Sequence, residues 1–327
     1  MELRFPMKTF LHKLAFFLPL ATASAAVNPA LLNLVMPDAT VVSGINVDQS
    51  VASPFGQYIL SQIQFNDNGF LQFMTSTGFD PRKDLHEIVA ATPASSSTGP
   101  HTALIVGRGT FAPAMIIGTA TTEGGTITNY RGFNLIGPPA GQSKESVALT
   151  FLDASTAAMG DVASVKAAID RKLAGATFTG ALATTAVQIS ATNSAWFATN
   201  APLADFMSTR ESGNLGPVAQ NGLIQAVQSA SGGVQFGSTA ITLSADAVTA
   251  SPQNAQSIVD VLKFFVSMIA GNANAPAGVT SIANSAQFSV NGSTAHISLL
   301  LPEAQVEQLL MPQGESKKSL RKPRAAK

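Results

Sequence analysis

Ala240-Ile-Thr-Leu-Ser-Ala-Asp-Ala-Val-Thr-Ala250 alternates as a half-buried strand does, and Ser251-Pro252 follows it at once. A serine that can cap, then a proline at the first helical position, starts a helix. That helix is expected over 252–270, ending at Gly271. Its Ile258, Val261, Leu262, Phe265 and Ile269 form one stripe, while Asp260 and Lys263 keep it amphipathic. Such a helix packs on a sheet and does not cross a bilayer. Gln287–Val290 and 294–301 then flank Asn291-Gly292, a pair suited to a type I′ hairpin turn, and Pro302 stops the second strand before a closing helix over 303–310. Strand, helix and hairpin in this order predict an α+β layered fold with antiparallel or mixed sheets covered by helices.

The same alternation runs upstream. A strand is expected over 39–47, a helix from Ser53-Pro54 to about 64, and a second helix opened by Asp80-Pro81 that carries Leu85, Ile88 and Val89. Then come a strand over 102–106, a helix over 111–122, strands over 127–130, 133–136, 147–152 and 156–160, and a helix from Asp161 to Leu173. After that a short strand over 194–199 precedes helices over 202–207 and 218–227. The order suggests two tandem ferredoxin-like units, 27–180 and 181–312, with a boundary near 175–190. No residue-level repeat supports a duplication.

The 327 residues hold 19 Lys+Arg and 19 Asp+Glu; charged residues are 12% and hydrophobic ones 46%. That is enough apolar material for a large core and excludes a wholly disordered chain. The neutrality is an average. Residues 1–26 sum to +2, 315–327 to +5, and the stretch between to −7. Lys8, His12 and Lys13, the apolar run 14–20 and the small residues of Ala21-Thr-Ala-Ser-Ala-Ala26 appear in the order of a secretory signal. Residues 1–26 are therefore expected to be a cleaved leader starting at Met1 or Met7, giving a periplasmic or secreted protein with no transmembrane segment. Zero cysteines exclude disulfides, thiolate catalysis and Cys-based metal sites.

Several segments together carry a resemblance: the leader, Phe79-Asp-Pro-Arg-Lys-Asp-Leu-His-Glu-Ile-Val89, 147–156 leading into Val165-Lys-Ala-Ala-Ile-Asp170, and Ser298-Leu-Leu-Leu-Pro-Glu303. In them the chain resembles uncharacterised exported bacterial proteins. The resemblance implies bacterial export and brings no catalytic residues with it.

Few residues carry a pattern that points to chemistry. His86 stands between Asp84 and Glu87, but no second histidine completes a zinc pair on a helix face. His101 sits in a loop context and His296 in an expected strand. Gly107-Arg-Gly109 reads as a strand-end turn, and Asn66-Asp-Asn-Gly69 as a turn without the first ligand of a calcium loop. Asp153, Asp161, Asp170, Asp205 and Asp246 are dispersed, with Asp161 the natural helix cap and Asp170-Arg171 a solvated face. Trp196, Tyr58 and Tyr130 are too few for a carbohydrate-stacking surface.

Lys317, Lys318, Arg321, Lys322, Arg324 and Lys327 form a basic tail, expected over 313–327, that cannot build a core. It is a candidate electrostatic contact for anionic lipid or envelope polymer, and an exported protein makes nucleic acid the least suited partner. No cofactor is expected. The expected function is an exported, non-enzymatic binding or scaffolding protein of the bacterial envelope. The alternative is an envelope hydrolase with a nonstandard site of carboxylates and His86, which requires that histidine to share a cleft with two or more acids.

Overall fold

The computed structural model describes residues 26–62, 68–93, 103–141, 147–202, 225–272 and 277–310. All but the last residue of the expected leader, and the entire basic tail, lie outside the described residues, as do His101, Asp205 and residues 203–207 and 218–224 of the helices expected over 202–207 and 218–227.

From the N-terminus, a short helix α1 (Pro29–Leu32) leads into β1 (Ala39–Asn46), then α2 (Val47–Ala52), α3 (Pro54–Gln62) and α4 (Asn68–Thr77). α5 (Pro81–Asp84) starts as expected, with Asp80 Oδ1 accepting from the Arg82 N–H, but stops after one turn. Leu85, Ile88 and Val89 belong instead to a strand, β2 (Leu85–Pro93). Their helical spacing is overruled because Glu87, Val89 and Ala91 also alternate, and β2 lies between two strands with that row buried. β3 (Leu104–Gly109) takes in Gly107-Arg-Gly109 as strand and not as a turn. Next come α6 (Pro113–Thr122), β4 (Gly125–Tyr130), β5 (Phe133–Pro139), β6 (Val147–Phe151), β7 (Thr156–Asp161) and α7 (Val162–Ala174). Asp161 caps α7, its Oδ1 accepting from the Ser164 N–H at 2.9 Å.

Residues 181–190, within the expected boundary, form a helix, α8 (Ala181–Ser190), with Leu182, Ala183 and Ala186 buried. β8 (Ala195–Thr199) follows. β9 (Val227–Phe236) begins where a helix was expected to end; its serines and Gly232-Gly233 hide a strand. A Cβ on Gly232 would come within 2.8 Å of the Phe197 ring, so the glycine lets the neighbouring strand lay its aromatic across. β10 (Ala240–Thr249) and α9 (Pro252–Ala270) match the opening motif, with Ser251 Oγ accepting from the Asn254 N–H at 3.2 Å. An unexpected α10 (Ala277–Asn284) precedes β11 (Gln287–Asn291), β12 (Thr294–Pro302) and α11 (Glu303–Leu310). The hairpin turn itself is Gly292-Ser293, with Asn291 paired to Thr294 and a positive φ of 56° at Gly292 alone among the two. That is the pattern of a II′ turn in place of the expected I′.

The α+β class holds: helices cover an antiparallel sheet. The two tandem units give way to one twelve-stranded sheet among the described residues, in the order β11-β12-β10-β9-β8-β1-β2-β3-β7-β6-β5-β4, every neighbouring pair antiparallel. The join is β8 against β1, Phe197 opposite Ser43.

Register explains why the halves looked separate. Residues directly opposite in an antiparallel ladder share a face. One line of such residues runs Ile127, Ile136, Leu149, Met159, Ile105, Ala90, Ser43, Phe197, Gly232, Ala245, Ile297, Phe288 across all twelve strands. Its neighbour on the opposite face runs Ala148, Gly160, Leu104, Ala91, Val42, Ala198, Ser231, Asp246, His296, Ser289. The second line is buried core from Ala148 to Ala198, under α1, α7 and α8, where Val165, Ala168 and Ile169 are fully enclosed. Past Ser231 it turns polar and open. The first line does the reverse: in the C-terminal half it lies under α9, α10 and α11, with Ala255 and Val259 of α9 against Ala247, Phe288 and Val290. The two cores sit on opposite faces of one sheet. α3, early in the chain, crosses to the later core, placing Phe55 against Ile241, Leu301 and, at 5.6 Å between rings, Phe236.

A candidate polar site and an open apolar strip

Asn46 Oδ1 accepts from the Gln49 N–H at 2.9 Å and so caps α2, which fixes Asp48 in its first turn at the end of β1. There it meets two neighbouring strands. His86 Nδ1 lies 2.8 Å from Asp48 Oδ1, and His86 Nε2 lies 3.3 Å from the Thr110 hydroxyl. An ionised carboxylate only accepts, so Nδ1 donates, and in the neutral imidazole Nε2 accepts from Thr110. Arg108 Nη2 stands 3.9 Å from Asp48, and its Nε 3.4 Å from Glu87, the residue opposite it in the ladder. Glu87 is the buried member: its Oε1 accepts the Asn28 N–H at 2.9 Å and ties the N-terminal segment to the sheet.

His86 is therefore not an isolated surface histidine. It touches one acid and is linked to a second through Arg108. In the order carboxylate, imidazole, hydroxyl the carboxylate orients the imidazole toward the hydroxyl. The backbone donors beside that hydroxyl are spoken for, since the Thr110 N–H is bound to the Asp84 carbonyl and the Phe111 N–H to that of Ala154. An oxyanion would find no free N–H there.

A second imidazole–carboxylate pair stands on the open polar face, where Asp246 and His296 are opposite each other on β10 and β12 with Nδ1 and Oδ1 2.7 Å apart. Asp170 accepts from the Tyr130 hydroxyl at 3.0 Å and pairs with Arg131, so it serves the β4–β5 turn. Arg171 turns inward, its Nε donating to the Leu34 carbonyl at 2.9 Å, and burial lowers its pKa. Trp196 is core, not a stacking platform. Among the described residues no group of three or more His, Asp or Glu could hold a metal ion.

Asp153 closes the turn between β6 and β7. It accepts from the Ser155 N–H and hydroxyl, both at 2.9 Å, and from Lys172 Nζ at 2.5 Å. Burial works to raise its pKa, but these bonds outweigh it and hold the carboxyl at about 2. A depressed pKa contributes stability above the unfolded value of about 3.9 that is lost as pH falls through about 2. Asp153→Asn is therefore expected to flatten the loss of stability between about pH 4 and pH 2 seen in urea titrations; solvent around both side chains keeps the difference below about 1 kcal/mol.

The larger uncommitted feature is apolar. Among the described residues, the helices leave the middle of one sheet face uncovered in the N-terminal half. Ile105, Met159, Phe197 and Val147 are 39%, 44%, 40% and 36% exposed there. The aromatic file Phe79, Phe111, Phe151 borders them, with rings 5.5 and 5.4 Å apart. No charged residue stands in the register line from Leu149 to Phe197. Sequence reasoning missed this strip because each strand reads as a core strand; only the register shows that one of its faces has no cover among the described residues. Among the described residues no helix is long and apolar enough to cross a membrane.

No protein-family model matches the chain, and no curated protein matches it. Among solved structures it is similar to crystal form III of TP0453, with a TM-score of 0.50 and 10% identity over 86% of this chain and 97% of that one. Crystal form I of the same protein gives a TM-score of 0.46 at 11% identity, covering 88% of this chain and 97% of that one. At such identity the likeness to form III speaks for the fold alone.

Proposed function

We propose that this chain is an exported, non-enzymatic binding or scaffolding protein of the bacterial envelope, and that its uncovered sheet face takes an apolar protein surface. One observation carries the reading: among the described residues the strip centred on Ile105, Met159 and Phe197 is open and carries no charge along its register line, beside core regions that lie under helices. Contiguous exposed apolar surface of this kind marks interaction sites. The absence of charge favours a protein partner over nucleic acid or an anionic polymer. The leader supports delivery to the envelope, and the basic tail adds an electrostatic contact with anionic surfaces.

The hydrolase reading rests on the Asp48–His86–Thr110 chain and ranks second, because the neighbouring backbone donors are already engaged.

The cysteine-free chain makes the test clean. Ile105→Cys and Met159→Cys are expected to react with a maleimide freely in the purified protein and about tenfold more slowly in the intact envelope fraction. Ser298→Cys, on the polar face, is expected to react alike in both. Equal labelling of Ile105→Cys in the two preparations would count against the proposal.

A further inference from the structure

The chain enters the core at Val27. Ala26 is exposed, whereas Val27 is 3% exposed and belongs to the same cluster as Leu31 and Val35. The Val27 N–H donates to the Ser190 hydroxyl at 3.0 Å. That hydroxyl, on α8 and itself 3% exposed, gives its own hydrogen to the Val187 carbonyl. One residue on, the Asn28 N–H donates to Glu87 of β2 at 2.9 Å, and Asn28 Oδ1 caps α1 by accepting from the Ala30 N–H. Two consecutive backbone donors are thus seated on two different elements, a helix and a strand.

Such a seat takes an amide and not an amine. As an amide, the Val27 nitrogen brings one hydrogen, which the Ser190 hydroxyl accepts. As a chain terminus it would bring a charged ammonium with three, in a place closed to water, where an ammonium is costly unless it is paired. The nearby carboxylate of Glu87 is already engaged by Asn28 and Arg108. At Ala26 the same ammonium would stand in water.

We propose that the mature chain keeps Ala26, the leader being cut upstream of it and not after it. This rests on the reading of residues 1–26 as a leader, and moves its end. The small residues of Ala21-Thr-Ala-Ser-Ala-Ala26 suit a cut after Ala23, Ala25 or Ala26 alike. Only the last of these puts the new terminus in the core. The cut after Ala25, behind Ala23-Ser-Ala25, is the one nearest the fold that leaves the Val27 amide whole. There an envelope signal peptidase adds water across the Ala25–Ala26 peptide bond, leaving a carboxylate on Ala25 and an ammonium on Ala26.

The test is to express the chain from Met1 in a bacterial host and to read the first peptide of the exported protein by tandem mass spectrometry. A first residue at Ala26, or upstream of it as far as Thr22, supports the proposal. A first residue at Val27 or later overturns it and leaves the leader reading intact; a chain that still carries the apolar run 14–20 overturns both. The physical reason is read separately, on chains released from a fusion partner with no residue added. The unfolding equilibrium constant from urea titrations is expected to be at least about tenfold larger for the chain that starts at Val27 than for the one that starts at Ala26. Ala26→Gly in the longer chain keeps the amide and is expected to match its parent. Equal stability of the chains starting at Ala26 and at Val27 overturns the proposal.

Discussion

Phe55→Ala is expected to lower stability by about 3–5 kcal/mol, and the loss should be visible in the fluorescence of Trp196 although the two residues belong to different cores. Phe55 is buried against Ile241, Leu301 and Phe236 on one face of the sheet, whereas Trp196 lies in the cluster of Val42, Val89 and Ala198 on the other. In a pair of independent units, Trp196 would not sense Phe55. In one sheet joined by β1 and β8, the strands beneath both cores unfold together, and the single tryptophan reports on all of them. Ile169→Ala, emptying a fully enclosed site of α7, is expected to cost about 2–4 kcal/mol. The two side chains do not touch, since the sheet lies between them, so the double variant should equal the sum within about 0.5 kcal/mol. Urea titrations followed by fluorescence and by circular dichroism should coincide in each variant; two separated transitions would point to two units.

Glu87→Ala is the second large effect, expected at about 2–3 kcal/mol. Glu87 is only 7% exposed, on the core side of β2, where it accepts the Asn28 N–H and faces Arg108. Truncation leaves the Asn28 N–H without its acceptor and Arg108 with Asp48 alone, 3.9 Å away. Glu87→Gln keeps an oxygen for Asn28 and should recover about half of the loss. The damage should begin locally: the segment at Val27–Asn28, held also by the Ser190 hydroxyl at 3.0 Å, becomes sensitive to protease before the rest unfolds.

Local signals were reliable where they were self-contained. Ser251-Pro252 and the apolar stripe behind it place α9 from Pro252 to Ala270, and alternation places β1 and β10 within a residue or two. The stripe itself shifts, with Val259 and Ala255 buried and Ile269 exposed, because α9 reaches the sheet's last strand and no described strand lies beyond it. In β2 the helical spacing of 85, 88 and 89 competes with the alternation of 87, 89 and 91, and only the two flanking strands decide between them. β9 was hidden because glycine and serine suit loops, yet Gly232 is small to make room for Phe197.

The polar cluster was out of reach for a related reason. Asp48 and His86 are 38 residues apart, and Asp246 and His296 are 50 apart, so each pair exists only through strand order. Asp246 and His296 were both assigned to strands, and placing β12 beside β10 would have brought them together. Nothing in the local sequence announces that neighbour. The same holds for the apolar strip, which depends on which face of each strand the helices cover.

The central claim is that cover changes faces midway along one sheet, leaving an apolar strip open. Thiol labelling of single-cysteine variants at paired positions tests it most directly in a chain that has no cysteine of its own. Ile105→Cys and Met159→Cys should label rapidly while Val106→Cys and Ala158→Cys resist. In the other half the parity should invert, with Ser298→Cys reactive and Ala295→Cys and Ile241→Cys protected. Protection of Ile105→Cys and Met159→Cys in the purified, monomer-diluted protein, to the level of Val106→Cys, would contradict the account.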